Sequence, residues 1–205
     1  KIDIAGTIES ISKINREILY KCYNTFYHPS NMVILVVGDV DHRKVFEQVE
    51  KNIEIKQEKP EIKRIFPEES KEINENYVEE KLAVAMPIFQ AGFRDNRLNV
   101  QGIESLRQEV AVKILLNMIM GRSSKLYNDL YNEGLINSTF DYDYTIEESY
   151  AHSMFGGESP DPEKVRDKIV KAIEDLKTNG LDRNNYERIR KAMKGRFLKQ
   201  LNSVE

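Results

Sequence analysis

The chain has 205 residues, 40% of them apolar and 32% charged, enough for one sizeable core or two small ones and too apolar for general disorder. Its 31 basic and 34 acidic side chains leave a formal charge of −3, which argues against a surface built to coat nucleic acid. The longest apolar run, Met32–Val37, falls far short of the ~20 residues of a spanning helix, so no membrane partner is expected.

Cys22 is the only cysteine, so neither an internal disulfide nor a cysteine-based metal cluster can form. That usage fits a reducing compartment, and a cytoplasmic location is expected. The chain opens at Lys1 with no methionine or apolar leader and closes straight after a helical pattern. It is therefore expected to be a piece of a longer polypeptide.

Asn15 reads as an N-cap for an amphipathic helix over Arg16–Tyr27, with Ile18, Cys22 and Phe26 recurring every four residues. His28-Pro29 stops it, because proline disfavours helical geometry in the residue before it. Met32–Val37 follows, continuously apolar and mostly β-branched, the pattern of a strand buried on both faces. Gly38–Asp41 is a turn, and Asp41 caps a helix over His42–Asn52 whose inner face is Val45, Phe46, Val49 and Ile53. The charged, proline-containing stretch that follows lacks periodicity and reads as a linker. The expected organisation is an end piece over residues 1–55, a linker over 56–67 and a second domain over 68–205.

Lys71–Arg94 reads as sheet, with Pro87 marking a bulge or an edge. Ile103–Met120 is a helix with Leu106, Val110, Ile114, Leu115, Met118 and Ile119 on its apolar stripe. Gly121 ends it, and Ser123 or Ser124 starts another helix that Gly134 closes. Ser138–Ile146 alternates as a half-buried strand, and Ala151–Phe155 is its hairpin partner, ending at Gly156-Gly157. Ser159-Pro-Asp-Pro-Glu163 opens a helix that Asn179-Gly180 closes, and a last helix runs from Asp182 to Asn202. The sum is an α+β fold, with a mixed, mainly antiparallel sheet and helices packed on one face.

Chemistry is sparse. His28, His42 and His152 lie in three different elements, and no H-x-x-E-H or H-E-x-x-H pattern exists. His28 reads as a helix-terminal residue, His42 as an exposed first-turn residue and His152 as part of a strand face. Cys22, inside a helical apolar stripe, reads as a small buried hydrophobe and not as a nucleophile. Gly121-Arg-Ser-Ser124 lacks the Gly-Lys-Ser/Thr ending of a phosphate cradle and reads as a helix stop followed by an N-cap. Asp39 and Asp41 supply too few oxygens for a cation and read as turn and cap residues. No catalytic, cofactor-binding or metal-ligating residue is assigned.

The order of segments nevertheless resembles a known family. Thr7-Ile-Glu-Ser-Ile11, a helix ending in Tyr27-His-Pro29, and Asn31-Met-Val-Ile-Leu-Val-Val-Gly-Asp-Val-Asp41 are similar to the stretch joining the two halves of pitrilysin/insulinase-type zinc metallopeptidases. Met120-Gly-Arg-Ser-Ser-Lys-Leu126, then Leu130, Gly134 and Leu135, resemble that family's second-half signature, as does Ser159–Glu163 after a hairpin. The resemblance runs from about Ile4 to Leu198.

It implies a metallopeptidase-half-like fold and a missing N-terminal half that carries zinc on two imidazoles and one carboxylate. The second half of the family binds no zinc, closes over the first like a clamshell, and often donates an arginine and a tyrosine to the reacting carbonyl. Around Leu130–Asn137 this chain departs from that pattern. The arginine has no counterpart, Asn137 stands where the tyrosine is expected, and Tyr131 is a phenol in the wrong place. The resemblance therefore implies the C-terminal half of a zinc metallopeptidase, forming chamber wall and partner-contact surface for peptide hydrolysis. Its implied partners are the N-terminal half, a peptide substrate and a related peptidase-like subunit in a dimer. The alternatives are a non-catalytic structural or interaction subunit with a peptidase-derived fold and, further off, an unrelated ferredoxin-like binding module.

Overall fold

Two units divide the chain in the computed structural model, one running to residue 67 and the other over residues 68–203. The structure describes residues 4–53, 60–63, 65, 72–97, 100–147 and 149–203. Most of the expected linker, including residues 56–59, 64, 66 and 67, lies outside the described residues.

The first unit is made of locally capped helices. In α1 (Ile8–Ile11) Thr7 Oγ1 accepts from the Ser10 N–H at 3.2 Å, and Ser10 Oγ accepts from the Thr7 N–H at 2.8 Å. Asn15 caps α2 (Arg16–Phe26) by accepting from the Ile18 N–H at 2.9 Å, and Asp41 caps α3 (His42–Asn52) through the Arg43 N–H at 2.9 Å. His28 follows the α2 C-cap residue Tyr27 directly and caps a 3-10 turn at Pro29–Asn31.

Two expectations fail in this unit. Met32–Val37 forms no strand, and every one of its side chains is exposed, from 48% at Val36 to 93% at Val33. Cys22 is exposed, not buried, because the α2 stripe of Ile18, Leu19 and Phe26 has no packing partner among the described residues. On α3, Val45, Val49 and Ile53 are half-buried and Phe46 is exposed. Apolar patterning supplies the faces here, and nothing described covers them.

The second unit carries the core. Strands β1 (Ile88–Arg94), β2 (Asp141–Ile146) and β3 (Ala151–Glu158) form one antiparallel sheet in the order β1-β3-β2. The register pairs Ala91 with Phe155 and Tyr144 with Ser153. Phe89, Ala91, Tyr142, Tyr144, Ser153 and Phe155 thus share one face, while Gln90, Asp141, Asp143 and Met154 are exposed on the other. Four helices, α4 (Ile103–Met120), α5 (Lys125–Asn132), α6 (Pro162–Asn179) and α7 (Arg183–Gln200), complete the unit, and the core is closed by Leu116, Met120, Leu130, Phe140, Val165 and Ile169. No described helix is long and apolar enough to cross a membrane.

Strand extents and one helix face differ from the sequence reading, β2 among them, which starts at Asp141 and not at Ser138. The sheet expected from Lys71 onward is confined to Ile88–Arg94; residues 72–87 hold no strand, and Pro87, lacking an N–H, joins the ladder only by its carbonyl, which accepts from the Ser159 N–H at 3.0 Å. β3 continues through Gly156-Gly157 to Glu158. A Cβ at Gly156 would meet the Phe89 carbonyl oxygen at 2.3 Å, so glycine here permits close strand approach and does not end the strand. On α4, Leu106 (52%) and Val110 (43%) are exposed, and it is Gln108 that faces inward at the head of the helix.

Candidate functional site

The segment Leu130–Asn137 is where sequence resemblance would place catalytic donors. Ser124 starts α5 by accepting from the Tyr127 N–H at 3.1 Å, and its own N–H donates to the Gly121 carbonyl at 2.7 Å. Gly121 in turn donates to the Asn117 carbonyl at 3.0 Å, so Gly121–Ser124 is a helix stop followed by a cap. Arg188 on α7 reinforces this corner by donating to Ser123 Oγ at 3.0 Å and Asn185 Oδ1 at 2.7 Å. A cavity of 530 Å³ opens beside it, floored by Met118, Ile119, Leu126 and Leu176.

At the far end of α5, Leu130 is 1% exposed and forms part of the core. Tyr131 points out, its ring stacked on Tyr127 with centroids 6.1 Å apart. Glu133 bonds Lys168 and lies 3.6 Å from Lys164, both on α6. The Lys168 ammonium holds the Glu133 carboxyl below its ordinary value. Gly134, at φ 68°, turns the chain so that the Leu135 N–H reaches the Leu130 carbonyl at 2.9 Å.

Asn137 is anchored through both its amide nitrogen and its amide oxygen. Its amide nitrogen donates to Glu158 Oε2 at 2.7 Å, and its Oδ1 accepts from the Thr139 N–H at 2.8 Å and hydroxyl at 2.6 Å. Thr139 Oγ1 then accepts from the Glu158 N–H at 2.9 Å. This side chain ties the loop after α5 to the end of β3. The Asn-x-Thr spacing carries a local signal, the Asx turn, but the partner Glu158 lies 21 residues away and is not foreshadowed.

A second polar cluster was invisible to periodicity. Gln108 Nε2 donates to Tyr144 Oη at 2.9 Å and to Asp95 Oδ2 at 3.0 Å, and the Tyr144 hydroxyl donates to the same carboxylate oxygen at 2.8 Å. Burial pushes the Tyr144 phenol up, and it pushes Tyr142 up as well. These groups lock the chain after β1 onto α4 and β2.

The three histidines lie on three different elements. His28 is 7% exposed, with Nδ1 accepting from the Ser30 N–H at 3.2 Å; His42 begins α3; His152 lies on β3, stacked 5.9 Å from Tyr150. Among the described residues no group of three His, Cys, Asp or Glu side chains could hold a metal, so the donor set present does not fit a catalytic zinc ion.

Comparison with known proteins accords with this geometry. The family described as "Peptidase M16 inactive domain" matches residues 13–193. The chain is 38% identical over 208 residues to the uncharacterized zinc protease YmfH of Bacillus subtilis (strain 168), covering 100% of this chain and 48% of that protein. It is 24% identical to the zinc protease PqqE of Helicobacter pylori, covering 97% of this chain and 45% of the relative. Among solved structures it superposes on a putative M16-like peptidase from Alicyclobacillus acidocaldarius with a TM-score of 0.82 and 31% identity, covering 99% of this chain and 48% of the other. A protease from Helicobacter pylori shares the fold at a TM-score of 0.73 and 24% identity. The chain spans about half the length of the curated relatives it matches. It belongs to the M16, pitrilysin/insulinase-type, zinc peptidase family and corresponds to the inactive C-terminal half.

Proposed function

We propose that the chain is the C-terminal half of a zinc metallopeptidase, serving as chamber wall and partner-contact surface for peptide hydrolysis. The observation that carries this reading is the likeness of the whole chain to half of an M16-like peptidase. Zinc would sit in the N-terminal half of the parent, and residues 1–55 would be the end of that half. Residues 56–67 would be the linker and residues 68–205 the second peptidase-like domain. The candidate wall is the sheet face that the helices leave open, with Gln90, Asp141, Asp143 and Met154 exposed on it.

Within that reading the chain supplies no oxyanion donor from Leu130 or Asn137. Leu130 is core, and the Asn137 side chain is tied to Glu158 and Thr139. A parent of this kind needs a related subunit to bring the arginine and tyrosine. The same two observations favour the second reading, a non-catalytic interaction subunit with a peptidase-derived fold. Zinc content and peptide hydrolysis of the purified parent, alone and with its partner, separate the two. One equivalent of zinc and partner-dependent hydrolysis support the first, whereas a zinc-free parent that stays inactive with its partner supports the second.

A further inference from the structure

We propose that the cleft between α5, α6 and α7 binds the C-terminal end of a peptide whose last side chain is apolar, with Arg188 taking the carboxylate. The site needs neither zinc nor an oxyanion donor, so it stands apart from the reading of the chain as half of a peptidase.

Both α6 and α7 pack on α4, and the space between them is closed at one end by the head of α5. The cavity left there measures 530 Å³, within the range of small-ligand sites. Met118, Ile119, Leu126, Ala172 and Leu176 floor it. Met118 and Ile119 are 7% and 8% exposed, so the floor is the outer surface of the core itself. A floor of this extent covers one side chain the size of leucine and leaves a long acyl chain in water.

The rim supplies a cation held in place with its charge uncompensated. Arg188 Nη2 donates to Ser123 Oγ at 3.0 Å and to Asn185 Oδ1 at 2.7 Å, and all three residues line the cavity. Both acceptors are neutral. Among the described residues no carboxylate pairs with this guanidinium, and its Nε–H and Nη1 hydrogens have no acceptor. Nearby cations differ: Arg190 is paired with Glu187, and Lys125 with Asp129. A planar guanidinium fixed beforehand by neutral groups is suited to a carboxylate. The bond to Arg188 also orients the Asn185 amide, whose Nδ2 hydrogens become further donors at the rim.

Charge and polarity narrow the ligand. Asp182 lines the same rim, with Oδ1 accepting from the Asn184 N–H at 2.8 Å. Its negative charge opposes a dianion such as phosphate, and an acidic last residue as well. Ser124 is 7% exposed; its oxygen accepts from the Tyr127 N–H, and its own hydrogen has no acceptor among the described residues. With the Asn184 and Asn185 amides, that hydroxyl suits the peptide groups that precede a terminal carboxylate. An alkyl chain would leave these polar groups unanswered.

The test is calorimetric titration of the intact parent with N-acetyl-Ala-Ala-Leu, its C-terminal amide and octanoate. The acid is expected to bind at least about tenfold more tightly than the amide, a preference that weakens as salt rises. Arg188→Gln, at an exposed position that keeps the fold, should remove the preference, and Arg188→Lys should keep part of it. Ala172→Leu, which adds bulk at the floor, should weaken acid and amide by the same factor. Equal affinity for acid and amide overturns the inference, as does an unchanged preference in Arg188→Gln or no binding at millimolar peptide. Octanoate bound as tightly as the peptide also overturns it, assigning the cleft to a lipid acid. A parent that binds the acid but never hydrolyses peptides sinks the functional reading alone; an active parent that ignores it sinks this inference alone.

Discussion

Gln108 and Tyr144, 36 residues apart, meet side chain to side chain at 2.9 Å and share one oxygen of the Asp95 carboxylate. Both are buried, and the Gln108 amide also donates to the Arg97 carbonyl at 3.3 Å. Tyr144→Phe is expected to destabilise the second unit by about 1–3 kcal/mol, since it strips a partner from the buried Gln108 amide and the half-buried Asp95 carboxylate. Gln108→Ala should cost a similar amount. The double variant should cost less than the sum, by on the order of 0.5–3 kcal/mol. Urea unfolding of the three variants reads this directly.

The same cluster sets an alkaline limit. Burial holds the Tyr144 and Tyr142 phenols above their ordinary value near 10, so the folded state keeps protons that the unfolded state has lost. Their stabilisation is therefore complete below about pH 10 and is lost as pH rises through the folded-state values. Thermal midpoints recorded from pH 8 upward should fall beyond that point, and the fall should be shallower in Tyr142→Phe. Equal slopes in the variant and the parent sequence would count against burial as the cause.

Leu130→Arg with Asn137→Tyr would rebuild the family's donor pair on paper. It should not restore activity. An arginine at Leu130 puts an unpaired charge in a site that is 1% exposed, and the tyrosine removes the Asn137 bonds to Glu158 and Thr139. Circular dichroism melting should show loss of the folded second unit, with a cost on the order of 3–5 kcal/mol for the first substitution alone. A folded double variant would show that this segment is less committed than its hydrogen bonds imply.

Gly156→Ala tests the strand approach. The added Cβ would fall 2.3 Å from the Phe89 carbonyl oxygen, which is backbone and cannot swing away. Exchange of the β1 amides should accelerate, while those of β2 change less.

Local signals made much of this legible. Ile103–Met120 was bounded correctly because Gly121 stops the periodicity, and Asp161, Pro162 and Gly180 framed α6 in the same way. Tertiary choices were not legible. Apolar pattern alone put Leu106 and Val110 inward, yet Gln108 takes that face because Asp95 and Tyr144, far off in sequence, satisfy its amide. Gly156-Gly157 looked like a terminator, and only the proximity of β1 shows why a strand would carry glycine there. Around Leu130–Asn137 the sequence disclosed which donors were missing, but not that Asn137 spends its amide on a residue 21 positions away. Met32–Val37 carries the pattern of a two-sided strand, yet nothing among the described residues covers it.

The most direct measurement of the central claim is peptide hydrolysis by the purified zinc-loaded parent, with and without a related subunit carrying the arginine and tyrosine. The expected result is a parent nearly inactive alone and faster by on the order of a hundred- to a thousand-fold with that subunit, the usual cost of a missing oxyanion donor. Full activity of the parent alone would contradict it and turn attention to Tyr131, the one exposed phenol on α5 near this segment.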